Sequence, residues 1–356
     1  MPNNITYDLI QRGVIRTAYR VQTGTPNDVF LQRVLFGNAP VPGNAVADGV
    51  ISFDYRKVAP ALPDEAVYGA DPNRVNYKQN FNTELLYPAY YFDEEEITVK
   101  QADARVFGEN LEQNLTGYAR LVRLAADKRD AIRASHLMAI EKMCADVILT
   151  GKVTVKEHGE QKFPMTSSLL SVAGANLLTD PMATLHSAFE TVRKTNAGFR
   201  PARLVMNPTD ALNFFEALPE KYVDKNVYAV ASAEFGAINE MGATFIGRIA
   251  VPGMGIIDVI SYSGAYRSNK STVTNYIPQG KAILAPQAIG AIGIGRVVSG
   301  DNGYVSEPVI QAHRTTIVGD GVGDRKKMVI QEQCSPLPLI QAIDGYCVIT
   351  GIPTGA

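Results

Sequence analysis

From Glu109 to about Thr150 the chain carries no proline, and Leu111, Leu115, Tyr118, Val122, Ala125, Ile132, His136, Ala139, Met143 and Val147 recur mostly at steps of three and four. That spacing puts them on one face of an amphipathic helix. Gly117 and the charged run Asp127–Asp130 are places where it could kink, and Gly151 stands where a C-terminal cap belongs. About 40 helical residues span roughly 60 Å. A compact chain of 356 residues has a radius of gyration of only about 20 Å. A helix as long as the molecule is wide acts as a beam, which suits a flat or elongated protein better than a spherical enzyme.

What flanks the beam is punctuated differently. Residues 1–45 end in the breaker-rich NAPVPGNAVADG region and read as an arm with little core of its own. ISFDYRKVAP (51–60) reads as a strand running into polar sequence. Between 54 and 92, Pro60, Pro63, Pro72 and Pro88 alternate with Tyr55, Tyr68, Tyr77, Tyr87, Tyr90 and Tyr91. Loops this long inside compact domains are uncommon, so the segment is expected to be a projecting loop or hairpin whose aromatics a neighbouring surface covers. After the beam, KVTVKEHGEQKFPM (152–165) predicts a hairpin turning near His158–Gly159. DPMATLHSAFETVRKT (180–195) predicts a helix, ARLVMN (202–207) a buried strand, and PTDALNFFEAL (208–218) a helix with proline in its first turn. Short strands follow in TFIGRIAV, IIDVISYS, NYIPQGKAILAP and AIGIGRVV. Beyond the polar loop VGDGVGDRKK (318–327) the chain closes with a pair of strands.

Composition narrows the function classes. At about 150 residues per domain the length gives material for two domains, and 46% hydrophobic with 20% charged residues is ordinary for a chain with a real core. A formal net charge of −2 provides no basic field for nucleic acid or anionic membranes. Cys144, Cys334 and Cys347 are scattered and fit a reducing compartment. The N-terminus has no apolar signal core. The longest apolar run, Ala282–Val298, is broken by Pro286, Gln287, Arg296 and glycines and reads as strands, not a membrane span. The expectation is a soluble chain made in a cytoplasm.

Candidate chemistry fails on spacing. Gly293 and Gly295 give G-x-G, but the next glycine is Gly300, so the dinucleotide fingerprint is absent and close strand packing is the better explanation of Gly290, Gly293 and Gly295. His136, His158, His186 and His313 show no metal spacing with another His or Cys; His136 is expected to be a satisfied interior residue and Cys144 a small core residue. Ser263 has no G-x-S-x-G elbow. Asp320–Asp324 lacks the remaining ligands of a calcium loop, and the basic cluster Asp324–Lys327 lacks aromatic interleaving. No cofactor, metal or catalytic residue is expected. The four consecutive acids Asp93, Glu94, Glu95 and Glu96 invite a catalytic pair, but such a pair needs two different environments. In a strand they split two to each face. Four adjacent charges are hard to desolvate, so they are expected to be solvated or to meet cations of another subunit.

The order of these parts resembles the lambda-type major capsid protein family of tailed bacteriophages (the capsid protein E family), with its HK97-like fold. FDYRKVAPAL (53–62) resembles the family's strand entering an extended loop. YPAYYFDEEEITVKQADARVFGE (87–109) resembles the return strand, leading through Arg105 to the long helix. VILTGKVTVKEHGEQKFPM (147–165) resembles the helix end and the hairpin after it. VISYSGAYRS and NYIPQGKAILAP (259–286) and QEQCSPLPLIQAIDGYCVITGI (331–352) resemble the late strands. The similarity runs from about residue 50 to 352, and its specificity lies in order and spacing.

The resemblance implies an α+β, HK97-like capsid fold: an N-terminal arm (1–45), an extended β-hairpin loop (46–104), a peripheral domain with the long spine helix (105–180 and 326–356) and an axial domain (181–325). It implies a structural protein and not an enzyme, self-assembling as hexamers and pentamers into an icosahedral head around double-stranded DNA without sequence-specific binding. Scaffolding, portal and decoration proteins are the implied partners, and the virion, assembled in the host cytoplasm, the implied location. Contacts between subunits are expected at Arg56, Lys57, Tyr90, Asp93, Glu94, Glu95, Glu96 and Arg105. Lys57, Lys78 and Lys100 could donate to a covalent cross-link, which this branch of the fold is not expected to form. Two alternatives stand beside this: a cargo-enclosing shell of a cellular nanocompartment, and a soluble α+β enzyme with a dispersed site.

Overall fold

The computed structural model describes residues 29–37, 41–42, 44–45, 50–55, 82–98, 100–101, 117–163, 169–195, 200–219, 241–268, 272–301, 304–310, 314–320, 327–342 and 344–353. Within them the expected helix runs over Gly117–Thr150, 34 residues or about 51 Å; its anticipated start before Gly117 lies outside the described residues. It ends as the sequence requires. Gly151 adopts φ +68°, and its N–H donates to the Val147 carbonyl at 2.8 Å, a left-handed cap that a residue without Cβ adopts at no steric cost.

The chain divides into two compact units, Met1–Asn27 with Tyr90–Ile140 and Val297–Ser335, and Asp28–Ala89 with Glu141–Arg296 and Pro336–Ala356. In the first, an antiparallel sheet orders the strands Arg314–Asp320, Lys327–Cys334 and Tyr91–Thr98. The register sets Glu332 against Asp93 and Cys334 against Tyr91. The helix residues of this unit pack on the sheet face carrying Ile97, Ile330, Glu332 and Cys334, all buried along with Ile132. Here the sequence expectation needs correction. Tyr91–Thr98 is not the return strand of the projecting loop, because it pairs with Lys327–Cys334.

The return strand is Asn82–Leu86, in the second unit. It pairs antiparallel with Ile51–Tyr55, Ile51 opposite Leu86 and Tyr55 opposite Asn82, which is the stem of the expected hairpin; residues 56–81 lie outside the described residues. A six-stranded mixed sheet follows the order Ala243–Val251, Gly255–Tyr262, Arg203–Met206, Lys281–Ala285, Cys347–Thr350, Ser171–Ala173. Helices Pro181–Lys194 and Pro208–Ala217 pack on it, and Leu185, Phe189, Phe214, Leu204, Ile257 and Ile349 share one core cluster. Both helices start as read: Asp180 accepts from the Ala183 N–H and Asn207 from the Thr209 N–H, each at 3.1 Å, with proline in the first turn. The hairpin Lys152–Val155 with Gly159–Lys162 closes at Val155 opposite Gly159.

Two further corrections concern the ends. The closing segment is three strands, not a pair: Lys327–Cys334, Pro336–Ile340 and Cys347–Thr350. The N-terminal region is not wholly coreless either. Phe30, Leu31, Leu35 and Phe36 are 0–1% exposed, because this short turn presents consecutive apolar side chains to the second unit's interior.

Candidate functional site

The strand Tyr91–Thr98 carries the four acids, and its alternation decides what each can do. Tyr91, Asp93, Glu95 and Ile97 point to the helix side; Phe92, Glu94 and Glu96 point away. Asp93 Oδ2 lies 2.9 Å from His136 Nε2, and the Lys128 ammonium donates to Glu95 Oε2 and, at 3.0 Å, to the Glu96 carbonyl. On the other side the Gln331 amide donates to Glu94 Oε2 at 3.1 Å, directly across the ladder. The acids are exposed, as anticipated. The expectation of cations from another subunit now meets partners inside the chain, Lys128 and His136, which lie on the helix a few turns apart. Tyr90 and Phe92 form an exposed ring pair, centroids 6.3 Å apart. Arg56, Lys57 and Arg105 lie outside the described residues.

His136 is the satisfied interior residue expected. It is buried, with Asp93 at Nε2 and the Cys334 thiol 3.4 Å from Nδ1. Thiol, imidazole and carboxylate thus stand in a row, yet the row is not a nucleophile. Burial pushes the Cys334 thiol up to about 12, helped by the charges of Glu332 and Asp93. It stays a thiol at neutral pH, and only the thiolate attacks. Cys334 and Asp93 also approach opposite ring nitrogens, so they cannot share a metal with His136. Among the described residues no group of His, Cys, Asp and Glu could hold a metal ion, and no helix is long and apolar enough to cross a membrane.

The glycine run resolves as close packing. A Cβ on Gly290 would come 1.9 Å from the Leu339 carbonyl oxygen, and one on Gly293 would meet Leu339 Cδ1 at 3.0 Å and Ile51 Cδ1 at 3.1 Å. The glycines let Gly290–Ile294 lie against Pro336–Ile340; they cradle no phosphate. Ser263 donates to the Gly242 carbonyl at 2.8 Å. The clusters at Asp320–Asp324 and Asp324–Lys327 fall largely outside the described residues.

Two buried charge sites were not anticipated. Glu332, 0% exposed, is gripped by Arg133 Nε at 2.6 Å and by the Thr315 hydroxyl; Arg133 Nη2 also donates to Thr315 Oγ1 at 3.1 Å. Glu141, also 0% exposed, accepts from the N–H groups of Leu31 at 2.7 Å and Gln32 at 3.0 Å and from the Tyr262 hydroxyl at 2.6 Å. A signal for Glu141 existed. It lies three and seven residues before Cys144 and Ile148, on the apolar stripe of the helix. For Glu332 nothing local marked it.

Among the described residues, buried charges tie elements together, and the exposed features include acids, aromatics and aliphatic side chains. The family described as phage major capsid protein E matches residues 17–296. No curated protein matches the chain. Among solved structures, a protein described as a prophage capsid protein from Escherichia coli CFT073 is similar at 15% identity, covering 98% of each chain, TM-score 0.58. The capsid of Ralstonia phage GP4 is similar at 11% identity, covering 93% of each chain, TM-score 0.51. An encapsulin complex from Synechococcus elongatus PCC 7942 aligns at 13% identity over 91% of this chain and 87% of its own, with a TM-score of 0.40 that carries no weight. The shared fold is the HK97-like α+β capsid fold.

Proposed function

Because this chain belongs to the phage major capsid protein E family, we propose that its subunits form hexamers and pentamers that close into an icosahedral head around the double-stranded DNA of a tailed phage, assembled in the host cytoplasm. It is a capsid shell protein of the virion, and the family match over residues 17–296 is the observation that carries this. The proposed division is arm 1–45, extended loop 46–104, peripheral domain 105–180 with 326–356, and axial domain 181–325, with Tyr91–Thr98 at the base of the loop paired to the peripheral strand Lys327–Cys334. Arms and loops interlock, and many individually modest contacts become cumulative in a shell. No catalytic role is proposed, and scaffolding, portal and decoration proteins are the proposed partners.

Exposed apolar side chains support a surface that other copies cover. Leu85 on the hairpin stem is 57% exposed, and Tyr90, Phe92 and Val122 are exposed as well. In the first unit a groove of about 310 Å³ is lined by Leu121, Val122, Ala125, Ala126, Met328 and Ile330. Contact between subunits is proposed at Arg56, Lys57, Tyr90, Glu94, Glu96 and Arg105, with Asp93 and Glu95 contributing from positions already bridged to Lys128 and His136. Electron microscopy of the purified protein tests the proposal. Closed shells are expected; a monodisperse monomer under every assembly condition, never entering virions, would overturn it.

A further inference from the structure

Glu141 is a fully buried carboxylate whose hydrogen-bond donors are all neutral, and unlike the equally buried Asp210, which among the described residues accepts from the Gly280 N–H alone, it joins several elements. Its donors come from two other elements of the second unit: the backbone N–H groups of Leu31 and Gln32 with the Gln32 side-chain amide, and the phenol of the strand Gly255–Tyr262. Among the described residues no cation pairs with it. The adjacent Lys142 is turned to Asp146 at 2.6 Å and to the Tyr266 ring. The titratable and polar groups facing Glu141 are the Tyr262 phenol, the Gln32 amide and, on its own helix, the Cys144 thiol, which burial and the charge of Glu141 push well up. The carboxylate therefore holds the first turn of Val29–Phe36 while lacking the counter-charge that makes a buried anion cheap.

The rest of that segment is held independently. The Leu35 carbonyl accepts from the Ile289 N–H at 2.6 Å, and Arg203 Nη1 donates to the Val34 carbonyl at 3.2 Å. Glu141 secures the end where the chain arrives from residues 1–28. We propose that Glu141 is a proton-operated latch on the segment Val29–Phe36, closed when its carboxyl is protonated and loosened when it ionises. A proton on Oε1 reverses the 2.6 Å bond so that the carboxyl donates to the Tyr262 oxygen, while Oε2 still accepts from Gln32 and the lone pair left on Oε1 faces the Leu31 N–H.

The direction follows from linkage. Burial raises the Glu141 carboxyl from the usual 4.5 to about 7, against a downward pull from the Tyr262 hydroxyl and the amides of Gln32 and Leu31. Opening the turn returns the group to water and to its ordinary value. The proton binds more tightly to the closed state, so closure is strongest below about 4.5 and is lost as the pH rises through 7. Between pH 5 and pH 8 those two values weaken closure by roughly 70-fold.

The test is hydrogen exchange of the full chain, free or in shells, read by mass spectrometry on peptides spanning 29–33 and expressed as protection factors. Protection is expected to fall about 70-fold from pH 5 to pH 8, and Glu141→Gln is expected to flatten the profile. A flat wild-type profile, a profile rising with pH, or an unchanged slope in Glu141→Gln overturns the latch. If Glu141→Gln does not fold, Tyr262→Phe decides. Removing the phenol that pulls the carboxyl down shifts the midpoint to higher pH, and an unshifted midpoint overturns the proposal. Shell formation does not enter these readouts, so the latch can fail while the capsid role stands.

Discussion

Gly290→Ala tests the close approach of two strands. The added Cβ would lie 1.9 Å from the Leu339 carbonyl oxygen and 2.9 Å from its carbon, with Phe36 Cδ1 at 3.1 Å. Backbone cannot swing aside as a side-chain tip can. The strands must part by about 1 Å, which carries hydrogen bonds near 2.9 Å beyond their useful range. The bonds at risk sit at this end of the ladder, where Gly290 pairs with Ile340 and the Gln341 and Ala342 N–H groups donate to the Ile289 carbonyl at 2.9 and 2.8 Å. Two lost bonds cost about 2 kcal/mol, overpacking adds about 1–3 kcal/mol, and the stiffer unfolded chain returns about 0.5 kcal/mol. A destabilisation of about 2.5–4.5 kcal/mol is expected. Gly293→Ala provides the contrast. Its nearest contacts are the methyl tips of Leu339 and Ile51 at 3.0 and 3.1 Å, which can rotate away, so about 1 kcal/mol is expected. The chain has no tryptophan, so urea unfolding is best followed by far-ultraviolet circular dichroism. The close-packing account is wrong if Gly290→Ala stays within 1 kcal/mol of wild type, or if Gly293→Ala is the more damaging change.

The other predictions follow from the buried charges, the thiols and the acidic strand. Arg133→Ala leaves Glu332 buried without its guanidinium and should cost about 3 kcal/mol in the same denaturation assay; a loss below 1 kcal/mol would show that the Thr315 hydroxyl suffices. Cys144, Cys334 and Cys347 are buried, and burial pushes Cys334 and Cys347 up to about 12. At pH 8 the native protein should therefore consume almost no thiol reagent until denaturant is added, whereas rapid stoichiometric labelling would contradict the burial. Asp93 and Glu95 bridge to the helix, so replacing both with serine should cost the subunit about 1 kcal/mol. Replacing the outward-facing Glu94 and Glu96 with serine should instead alter particle yield, chiefly at low salt. Equal yields at all salt concentrations would remove Glu94 and Glu96 from any contact between subunits.

What the sequence disclosed tracks how locally each feature is encoded. The long helix, its glycine stop, the two shorter helices and the hairpin after the long helix depend on residues within a few positions of one another, and each was legible. Strand partners depend on residues far apart. Tyr91–Thr98 looked like the hairpin's return because the hairpin precedes it, yet its partner strand starts at Lys327, and Asn82–Leu86 hid inside a proline- and tyrosine-rich stretch. The same contrast governs the charges. Alternation along a strand correctly split Asp93–Glu96 two to each face, while the identity of their partners required knowing which helix face arrives above them. Glu141 lies between these cases. A carboxylate three and seven residues from Cys144 and Ile148 breaks an otherwise apolar stripe, and a charge is retained at such a position only when donors reach it. The sequence therefore could have announced a buried, hydrogen-bonded acid at residue 141. It could not have said that two of the donors are backbone amides of Leu31 and Gln32, because a backbone N–H has no letter in the sequence, and that is why the attachment of the N-terminal turn became visible only in three dimensions.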